Sequence, residues 1–375
     1  MVAASSKSTV TVADLDRTPV RVVRLLRLGL AGGVAFAAWK IQWRWGLERF
    51  FTGPGNISRI LLLFFVISNW KNMPGVWTYR IWHAIIYHCF IRKSPKLGPR
   101  ALFRPMIAET HAPLTEIDYN IHKSNSTYFS DLDIARTHLV THLLRPGLRR
   151  LTHNTQSGLV LDEQTGKPRT GRMGIMLGAV HCSFRREITG YRGYEMWTRI
   201  LSWDRKWLYM VTHFVPSGVA RPTEYLDVKF GALRTRKGTG KDGSATPATA
   251  TATADPAAWE KKIHATAVSK YVFKLGRFTV NPSYILEASE LLPARPGGWR
   301  SGPNGVGDED VDLADVVDDG TWDWKMVEKR RRAGMEFAQQ FANLDALGAW
   351  FDGGDGGDGG DGSALGRFGL GAASW

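Results

Sequence analysis

The sequence is poor in the residues that build disulfide scaffolds and metal centres. Only two cysteines occur among its 375 residues, Cys89 in an apolar aromatic segment and Cys182 in a predicted strand. We expect two buried thiols, with no disulfide framework and no cysteine-ligated metal centre. Four histidines also lack the spacing of metal ligands: His138, His142, His181 and His213. We therefore predict no metal and no other cofactor.

A nucleic-acid recognition motif is also missing, although the formal net charge is +14. The basic residues are spread from Arg21 to Arg332, and no motif gathers them into a recognition surface. Several stand beside apolar runs, which favours contact with an anionic membrane surface; others suit the phosphates of an anionic carrier such as coenzyme A. Nucleic acid is therefore not an expected partner.

No apolar run reaches the roughly 20 residues of a comfortable membrane-spanning helix. The runs from Leu25 to Trp39 and from Ile60 to Ile67 are shorter, although flanking residues could extend either. An aromatic segment from Trp77 to Phe90 has a basic exit, as an interfacial helix does, but a helix packed on a soluble domain would look similar. We predict membrane-associated helices over residues 21–95 and leave open whether they span the bilayer.

The N-terminal segment does not have the features of a cleaved secretory signal, because its first apolar run starts late and no cleavage site is clear. A mitochondrial presequence is suggested by arginines at helical spacing, Arg21, Arg24 and Arg27, and opposed by Asp14 and Asp16. We therefore expect the endoplasmic reticulum rather than the mitochondrion.

Three segments lack the periodicity of a folded core. Residues 1–20 are polar, residues 216–265 include a Gly/Thr/Ala-rich stretch, and residues 292–375 are acidic and then Gly-rich. Such composition predicts a disordered N-terminus, a disordered insertion and a disordered tail. One helix, from Trp324 to Phe341, is expected within the tail.

Residues 96–291 read as one α+β domain. An edge strand or extended segment over 103–118 is followed by a helix from Ser124 to Leu144, which Ser124, Asn125 or Ser126 could cap and Pro146-Gly147 would end. Its apolar residues fall three or four apart, giving one buried stripe. Three strands follow, and then a fourth and a short helix: Met173 to Ile188, Tyr194 to Trp203, Lys206 to Val215, Lys270 to Val280 and Pro282 to Leu291. This order predicts an antiparallel sheet wrapped around a central helix.

A carboxylate, an imidazole and an amide precede that helix: Asp118, His122 and Asn125. The N–H groups at a helix start suit an oxygen that gains negative charge. A carboxylate just upstream could attack an acyl group there or activate water to do so. Each residue also has a purely structural explanation: Asp118 would cap a turn, His122 would be a polar residue at a helix start, and Asn125 would cap the helix.

These residues resemble a known family. Asp118, His122, Asn125, Tyr128 and Ala135-Arg136 match the pattern of the hotdog-fold acyl-CoA thioesterases of the 4-hydroxybenzoyl-CoA thioesterase type. The sequence is most similar to the branch containing thioesterase superfamily member 6 and fungal relatives found with lipopeptide and polyketide pathways. The likeness covers roughly residues 60–215 and 266–291.

The resemblance implies a hotdog fold, a homodimer with sites at the subunit interface, and hydrolysis of an acyl or polyketide thioester of coenzyme A or of a carrier protein. It implies that Asp118 is the nucleophile or general base and that His122 or Asn125 helps to polarise the carbonyl. The sequence departs from the family pattern at Ser124, where an Asn is usual, and at Ile121, where a Gly is frequent; the upstream acidic partner is Glu116.

Two other functions remain open at this point. One is a non-catalytic hotdog module that binds acyl chains or serves as a membrane scaffold. The other is a hydratase, but hotdog hydratases place His five residues after Asp with an intervening Pro, whereas His122 follows Asp118 by four. Asn125-Ser-Thr127 is a formal glycosylation acceptor, and a glycan there would block the site, so we expect the catalytic domain to face the cytosol.

Overall fold

The computed structural model describes residues 29–33, 35–36, 43–222, 224–226, 259–300, 311–316 and 320–350. The predicted disordered N-terminus, most of the predicted insertion and the Gly-rich end of the tail lie outside the described residues. So does most of the first apolar run. The helices of the described part are α1 Trp43–Thr52, α2 Asn56–Ser68, α3 Val76–Ile86, α4 Thr127–Leu143, α5 Arg145–Thr152, α6 Asn154–Ser157, α7 Pro282–Ala288 and α8 Trp324–Asn343.

One antiparallel sheet forms the body of the domain. Its strands lie in the order β1-β3-β4-β5-β2, and β6 pairs with β5. The bounds are β1 Met106–His111, β2 Met173–Phe184, β3 Gly193–Trp203, β4 Trp207–Pro216, β5 Ala265–Leu275 and β6 Phe278–Val280. Three predicted strands are confirmed within a few residues, and β1 is the predicted edge strand. The strand predicted from Lys270 to Val280 is wrong as one element, because Gly276 at φ 60° turns the chain between β5 and β6.

The central helix α4 lies against this sheet with its predicted apolar stripe buried. Tyr128 packs edge-on against Phe214 of β4, with ring centroids 4.9 Å apart. Ser126 takes the N-cap position but makes no side-chain capping hydrogen bond, so the predicted cap is wrong. The helix ends at Leu143 with Leu144 as its C-cap, so the predicted end before Pro146-Gly147 is confirmed, but another helix rather than a loop follows. Pro146 sits in the first turn of α5, where a helix needs no N–H from it.

The tail helix α8 packs on the outer face of β3. A Cβ added to Gly334 would lie 2.0 Å from the Leu201 carbonyl oxygen, so only glycine permits this approach. Glu328 of α8 is fully buried between Arg331 and Arg295, at 2.8 and 3.2 Å. The folded unit therefore extends past residue 291, where the prediction placed its end.

The N-terminal helices differ in how they meet the domain. α3 lies along α4, whereas α2 has no buried residue. Among the described residues, no single helix is long and apolar enough to cross a membrane; residues 45–52 and 56–68 meet that criterion as a pair bent by 103°. Cys89 and Cys182 are free and half-buried rather than buried.

Candidate active site

The residues Asp118 to His122 form a tight turn just before α4. Asp118 donates its N–H to the His122 carbonyl oxygen at 3.0 Å, and Ile121 donates to the Asp118 carbonyl oxygen at 3.0 Å. The flanking Ile117 and Lys123 pair as an antiparallel bridge. Ile121 has φ 66°, the left-handed conformation that completes a three-residue hairpin loop. This geometry explains why a glycine would suit position 121.

The turn brings Asp118 and His122 face to face. Asp118 Oδ1 lies 3.8 Å from His122 Nδ1, and the two side chains are 23% and 25% exposed. Oδ1 also accepts the N–H of Asn120 at 2.9 Å, which fixes the carboxylate by an Asx turn. On its other side, His122 Nε2 lies 3.9 Å from Glu187 Oε1. The predicted pair is thus together, fixed by the backbone and accessible to solvent.

Asn125 is exposed and stands apart from this pair. Within the described residues, its side chain makes no hydrogen bond. The neighbouring hydroxyls of Ser124 and Ser126 lie 3.1 Å apart, and the Thr127 hydroxyl donates to the Ser124 carbonyl oxygen at 2.7 Å. The amide therefore lies at the start of α4 with donors and acceptors open to a ligand, but the chain does not orient it.

A buried ionic cluster lies beneath the turn, and we call Lys71, Glu116, Lys123, Asp131 and Tyr194 the ionic cluster. Lys123 Nζ contacts Glu116 Oε2 at 2.5 Å and Asp131 Oδ2 at 3.0 Å. Lys71 Nζ contacts Glu116 Oε1 at 2.9 Å and Asp131 Oδ2 at 3.0 Å. Tyr194 donates to Asp131 Oδ2 at 2.5 Å. Two ammonium groups thus contact two carboxylates within one buried volume, and the partly exposed guanidinium of Arg80 lies 3.5 Å from Asp131 Oδ1.

Burial and pairing shift the ionisation of this cluster in opposite directions. Burial lowers the pKa of Lys71, although the nearby Asp131 and Glu116 oppose the change. Burial alone would raise the pKa of Asp131, but the two ammonium groups and the Tyr194 hydrogen bond outweigh it and hold the carboxyl below its usual range. Burial raises the pKa of the Tyr194 phenol well above its usual range. Asp131 therefore serves as a buried anion and not as an acid.

Lys71 ties the N-terminal region to the turn. It lies just after α2, and besides the cluster it donates to the His111 carbonyl oxygen at 3.0 Å. Next to it, the buried Asn69 accepts the N–H of Thr115 at 2.9 Å through its side-chain oxygen. The segment that leads into Asp118 is therefore held by residues 69–71.

Sequence reasoning missed most of the ionic cluster. Asp131 carried a usable signal, because it lies three residues after Tyr128 and four before Ala135 on the apolar stripe, where an ionised residue must be buried and paired. Lys123 sits directly after His122 and shows no comparable pattern. Lys71 carries no signal at all, since its partners lie 45 and 60 residues away.

A family model described as the Thioesterase-like superfamily matches residues 112–239, which contain the Asp118 turn and α4. The chain is similar to the thioesterase poxG of Penicillium oxalicum, with 35% identity over 329 residues that cover 86% of this chain and 94% of the relative. The chain belongs to the thioesterase-like superfamily.

Two further fungal relatives agree with this assignment. The probable thioesterase atnL of Emericella nidulans is 31% identical over 312 residues, covering 80% of this chain and 88% of the relative. The thioesterase lcsJ of Purpureocillium lilacinum is 32% identical over 323 residues, covering 76% and 90%. The predicted hotdog fold and the predicted enzyme class, a thioester hydrolase, are thus confirmed.

Proposed function

We propose that this thioesterase hydrolyses an acyl thioester of coenzyme A or of a carrier protein at the Asp118 turn, while its N-terminal helices hold it at a membrane. The observation that carries the catalytic part is the pairing of a partly exposed carboxylate with a partly exposed imidazole, 3.8 Å apart, at the start of the central helix. Both groups are accessible, and the backbone fixes both.

Asp118 supplies the carboxylate for the reaction. Its Oδ1 is held by the Asn120 N–H, so Oδ2 is directed to the reacting group; among the described residues, no hydrogen bond to Oδ2 is found. As a general base, it removes a proton from water, whose oxygen bonds to the carbonyl carbon as the carbon–sulfur bond breaks. As a nucleophile, it forms an acyl anhydride that water then hydrolyses. Both routes yield an acid and a thiol.

The start of α4 stabilises the oxygen that gains charge. Ser126 leaves this end without a side-chain cap, and although the N–H groups of Thr127 and Phe129 donate to backbone carbonyl oxygens, the positive end of the helix dipole lies beside the turn. The exposed Asn125 amide is placed to add a donor. His122 borders the carboxylate and the incoming carbonyl, a position from which it orients one and polarises the other.

Replacement of Asp118 tests this assignment. In a thiol-release assay over a panel of acyl-CoA and carrier-bound thioesters, Asp118→Asn should lower kcat by about 100-fold or more with little change in KM. The matched control is Asp162→Asn, because Asp162 Oδ1 also accepts backbone N–H groups in a surface turn, from Gln164 and Thr165 at 3.1 Å. Unchanged thiol release in Asp118→Asn would remove Asp118 from the reaction.

Replacement of His122 or Asn125 should lower kcat less than replacement of Asp118. His122→Gln keeps a polar side chain and should lower kcat by about tenfold to 100-fold if the imidazole acts on the carbonyl. Asn125→Ala removes one unoriented donor and should cost less. Equal activity of all three variants and the wild type would place the catalytic groups elsewhere, whereas complete inactivity of the wild type over the whole panel would favour a non-catalytic acyl-binding module.

We propose a homodimer formed through β2. This strand lies at one end of the sheet order, and exposed apolar residues line it: Met176, Leu177 and Phe184. An unpaired apolar edge strand of 12 residues is suited to pair with a second copy of itself. The end of β2 is close to the site, because Phe184 packs on Tyr128 at the start of α4, with ring centroids 5.0 Å apart.

A charged substitution on the exposed edge of β2 tests the proposed dimer. Met176→Asp should convert the protein to monomers in light scattering after size-exclusion chromatography, and should lower thiol release if the site is shared between subunits. Phe337→Asp is the control, since Phe337 is an exposed apolar residue of α8, which packs mainly on β3. A monomeric wild type would contradict this proposal.

Membrane attachment is supported by the exposed surface of α2. The side chains of Ile57, Phe64 and Ile67 are 71%, 69% and 65% exposed, and no residue of this helix is buried. Exposed aromatic side chains follow, as in a segment that lies at a membrane interface: Trp70, Trp77, Tyr79 and Trp82. An apolar surface of this extent in water is unfavourable.

Vesicle flotation tests the attachment. Leu61→Asp with Phe64→Asp should release the protein from phosphatidylcholine vesicles that contain phosphatidylserine, whereas Phe337→Asp should not. Resistance of the wild type to alkaline carbonate would indicate insertion, and release would indicate surface binding. For orientation, we propose that the site faces the cytosol; glycosidase treatment of protein from fungal cells should then leave its electrophoretic mobility unchanged.

A further inference from the structure

A cavity of about 350 Å³ lies at the other end of the central helix from the Asp118 turn. Its apolar lining includes Leu97 and Ala101 before β1, Met106 and Ile107 of β1, Leu139 and Leu143 of α4, Trp197 of β3, and Pro222, Tyr225 and Leu226 after β4. Leu139 is twelve residues past the start of α4, which places the cavity about 18 Å along the helix from the turn. The cavity is therefore separate from the candidate active site.

The rim of this cavity is cationic. Arg100 and Arg104 both line it and both are exposed. Arg100 forms an ion pair with Glu224, another lining residue, and the two side chains are 50% and 51% exposed. Such exposed ion pairs add little stability, so an anion that enters the cavity can replace the Glu224 carboxylate at little cost. Glu224 thus marks the position where the rim accepts an anionic group.

The size and the position of the cavity fit a small amphiphile. Its volume falls within the range of ordinary ligand sites, roughly 300–1,000 Å³. The lining residue His142 accepts a hydrogen bond from Arg92 at 3.1 Å, and Arg92 follows the helical segment Tyr87–Ile91, so the cavity lies beside the end of the N-terminal helical region. Its apolar lining and its cationic rim together suit a molecule with one apolar chain and an anionic end.

We propose that this cavity binds a single-chain amphiphile with an anionic head group, a carboxylate or a phosphate. The apolar chain lies among Leu97, Met106, Leu139 and Leu143, and the head group pairs with Arg100 and Arg104 in place of Glu224. This binding site is additional to the Asp118 turn and does not depend on thioester hydrolysis.

Photolabelling of the full-length protein in lipid nanodiscs tests the proposal. A decanoate probe that carries a terminal diazirine should label peptides containing residues 97–107, 139–143 or 222–226. Arg100→Gln with Arg104→Gln should reduce this labelling about fivefold, since two exposed charge contacts are lost. Glu224→Gln should increase it about twofold, because the competing carboxylate is gone. Arg150→Gln, an exposed arginine of α5, should leave it unchanged.

A cavity-filling variant and competing ligands establish the chemistry of the ligand. Leu97→Trp should reduce labelling about fivefold or more by filling the cavity, with thermal unfolding measured in parallel; if that variant does not fold, the exposed-charge variants decide. Octanoate as the better competitor indicates a free fatty acid, and octyl phosphate indicates a lipid head group; both support the proposal. Equal labelling by a decylamine or decanol diazirine, or unchanged labelling in the charge variants, would overturn it.

Discussion

Two polar clusters lie where the N-terminal helices meet the central helix, and they differ in composition: one is ionic and buried, and the other consists of one buried and two half-buried histidines. In the ionic cluster, each of two ammonium nitrogens lies within 3.0 Å of an oxygen of both carboxylates. The second group, which we call the histidine cluster, consists of His88, His138 and His142. His88 Nε2 lies 3.0 Å from His138 Nδ1, and the His88 and His142 rings lie 5.2 Å apart.

The difference shows which buried groups keep their charge. In the ionic cluster, each charge has an opposite partner, so ionised side chains remain inside the protein. The charged or ionisable neighbours that shift the histidine cluster are Arg80, His83 and Arg92, and no carboxylate is among them. Burial, reinforced by these groups, lowers the pKa of His88 to about 2 and those of His138 and His142 to about 4. The histidines are therefore neutral hydrogen-bonding groups at neutral pH.

Removal of Lys71 from the ionic cluster should lower the free energy of unfolding more than any other substitution proposed below. Lys71→Met removes an ammonium group that contacts both carboxylates and leaves them with Lys123 and with Arg80, 3.5 Å from Asp131; the loss of one partner of a buried ion pair costs about 3–5 kcal/mol. Urea denaturation followed by circular dichroism measures the change in the free energy of unfolding. Thiol release should also fall, since the segment leading to Asp118 loses one of its anchors.

Two variants make this prediction specific. Lys71→Met with Glu116→Gln removes the buried carboxylate together with its ammonium partner and should be more stable than Lys71→Met alone. Lys93→Met removes an exposed ammonium group and should change the free energy of unfolding by less than about 0.5 kcal/mol. A loss in Lys71→Met no larger than in Lys93→Met would mean that the cluster does not hold the N-terminal segment.

As the pH is lowered, protonation should destabilise the histidine cluster before it destabilises the ionic cluster. The pKa values of His138 and His142 are near 4 in the folded protein and near 6.5 in the unfolded chain. Between these values the unfolded state binds more protons, so stability falls as the pH is lowered from about 6.5 to 4, by about 2 kcal/mol or more. Asp131, whose pKa is lowered, adds its own loss only when the pH falls below about 3.9.

A double variant separates this effect from the rest of the protein. His138→Gln with His142→Gln should flatten the pH dependence of the free energy of unfolding between pH 6.5 and 4. A smaller slope should remain, because burial also lowers the pKa of His213 to about 4. His153→Gln, at the exposed residue directly after α5, is the control. An unchanged slope in the double variant would contradict the assignment of neutral, buried histidines to this interface.

The two clusters also show which contacts can be predicted from the sequence and which cannot. Local patterns predict the sheet and the central helix, because alternation and three-to-four spacing depend on neighbours in the chain. The pairing of Asp118 with His122 is also local, since both belong to one turn. The partners of Lys71 and of His88 lie 40 to 123 residues away. Such contacts depend on how helices dock, which periodicity does not encode.

Position 121 shows the same limit in a single residue. The sequence marks Ile121 as a departure from a family glycine, but only the structure shows that the residue has φ 66°. A branched side chain in the left-handed region costs about 1–2 kcal/mol. The strain is retained because the turn is held on both sides, by the Ile117–Lys123 bridge and by the Lys123 ammonium in the ionic cluster.

Ile121→Gly should therefore stabilise the protein, and this is the smallest of the expected effects. The Ile121 side chain is 80% exposed, so its loss removes little apolar contact. Relief of the strain exceeds the added entropy of the unfolded glycine, which leaves a net gain of about 0.5–1 kcal/mol in urea denaturation. Tyr119→Gly is the matched control: it lies in the same turn, is 93% exposed and has no positive φ, so it should lose stability. A gain in both variants would assign the effect to the loss of exposed apolar side chains, whereas a gain in Ile121→Gly alone assigns it to the backbone that carries Asp118.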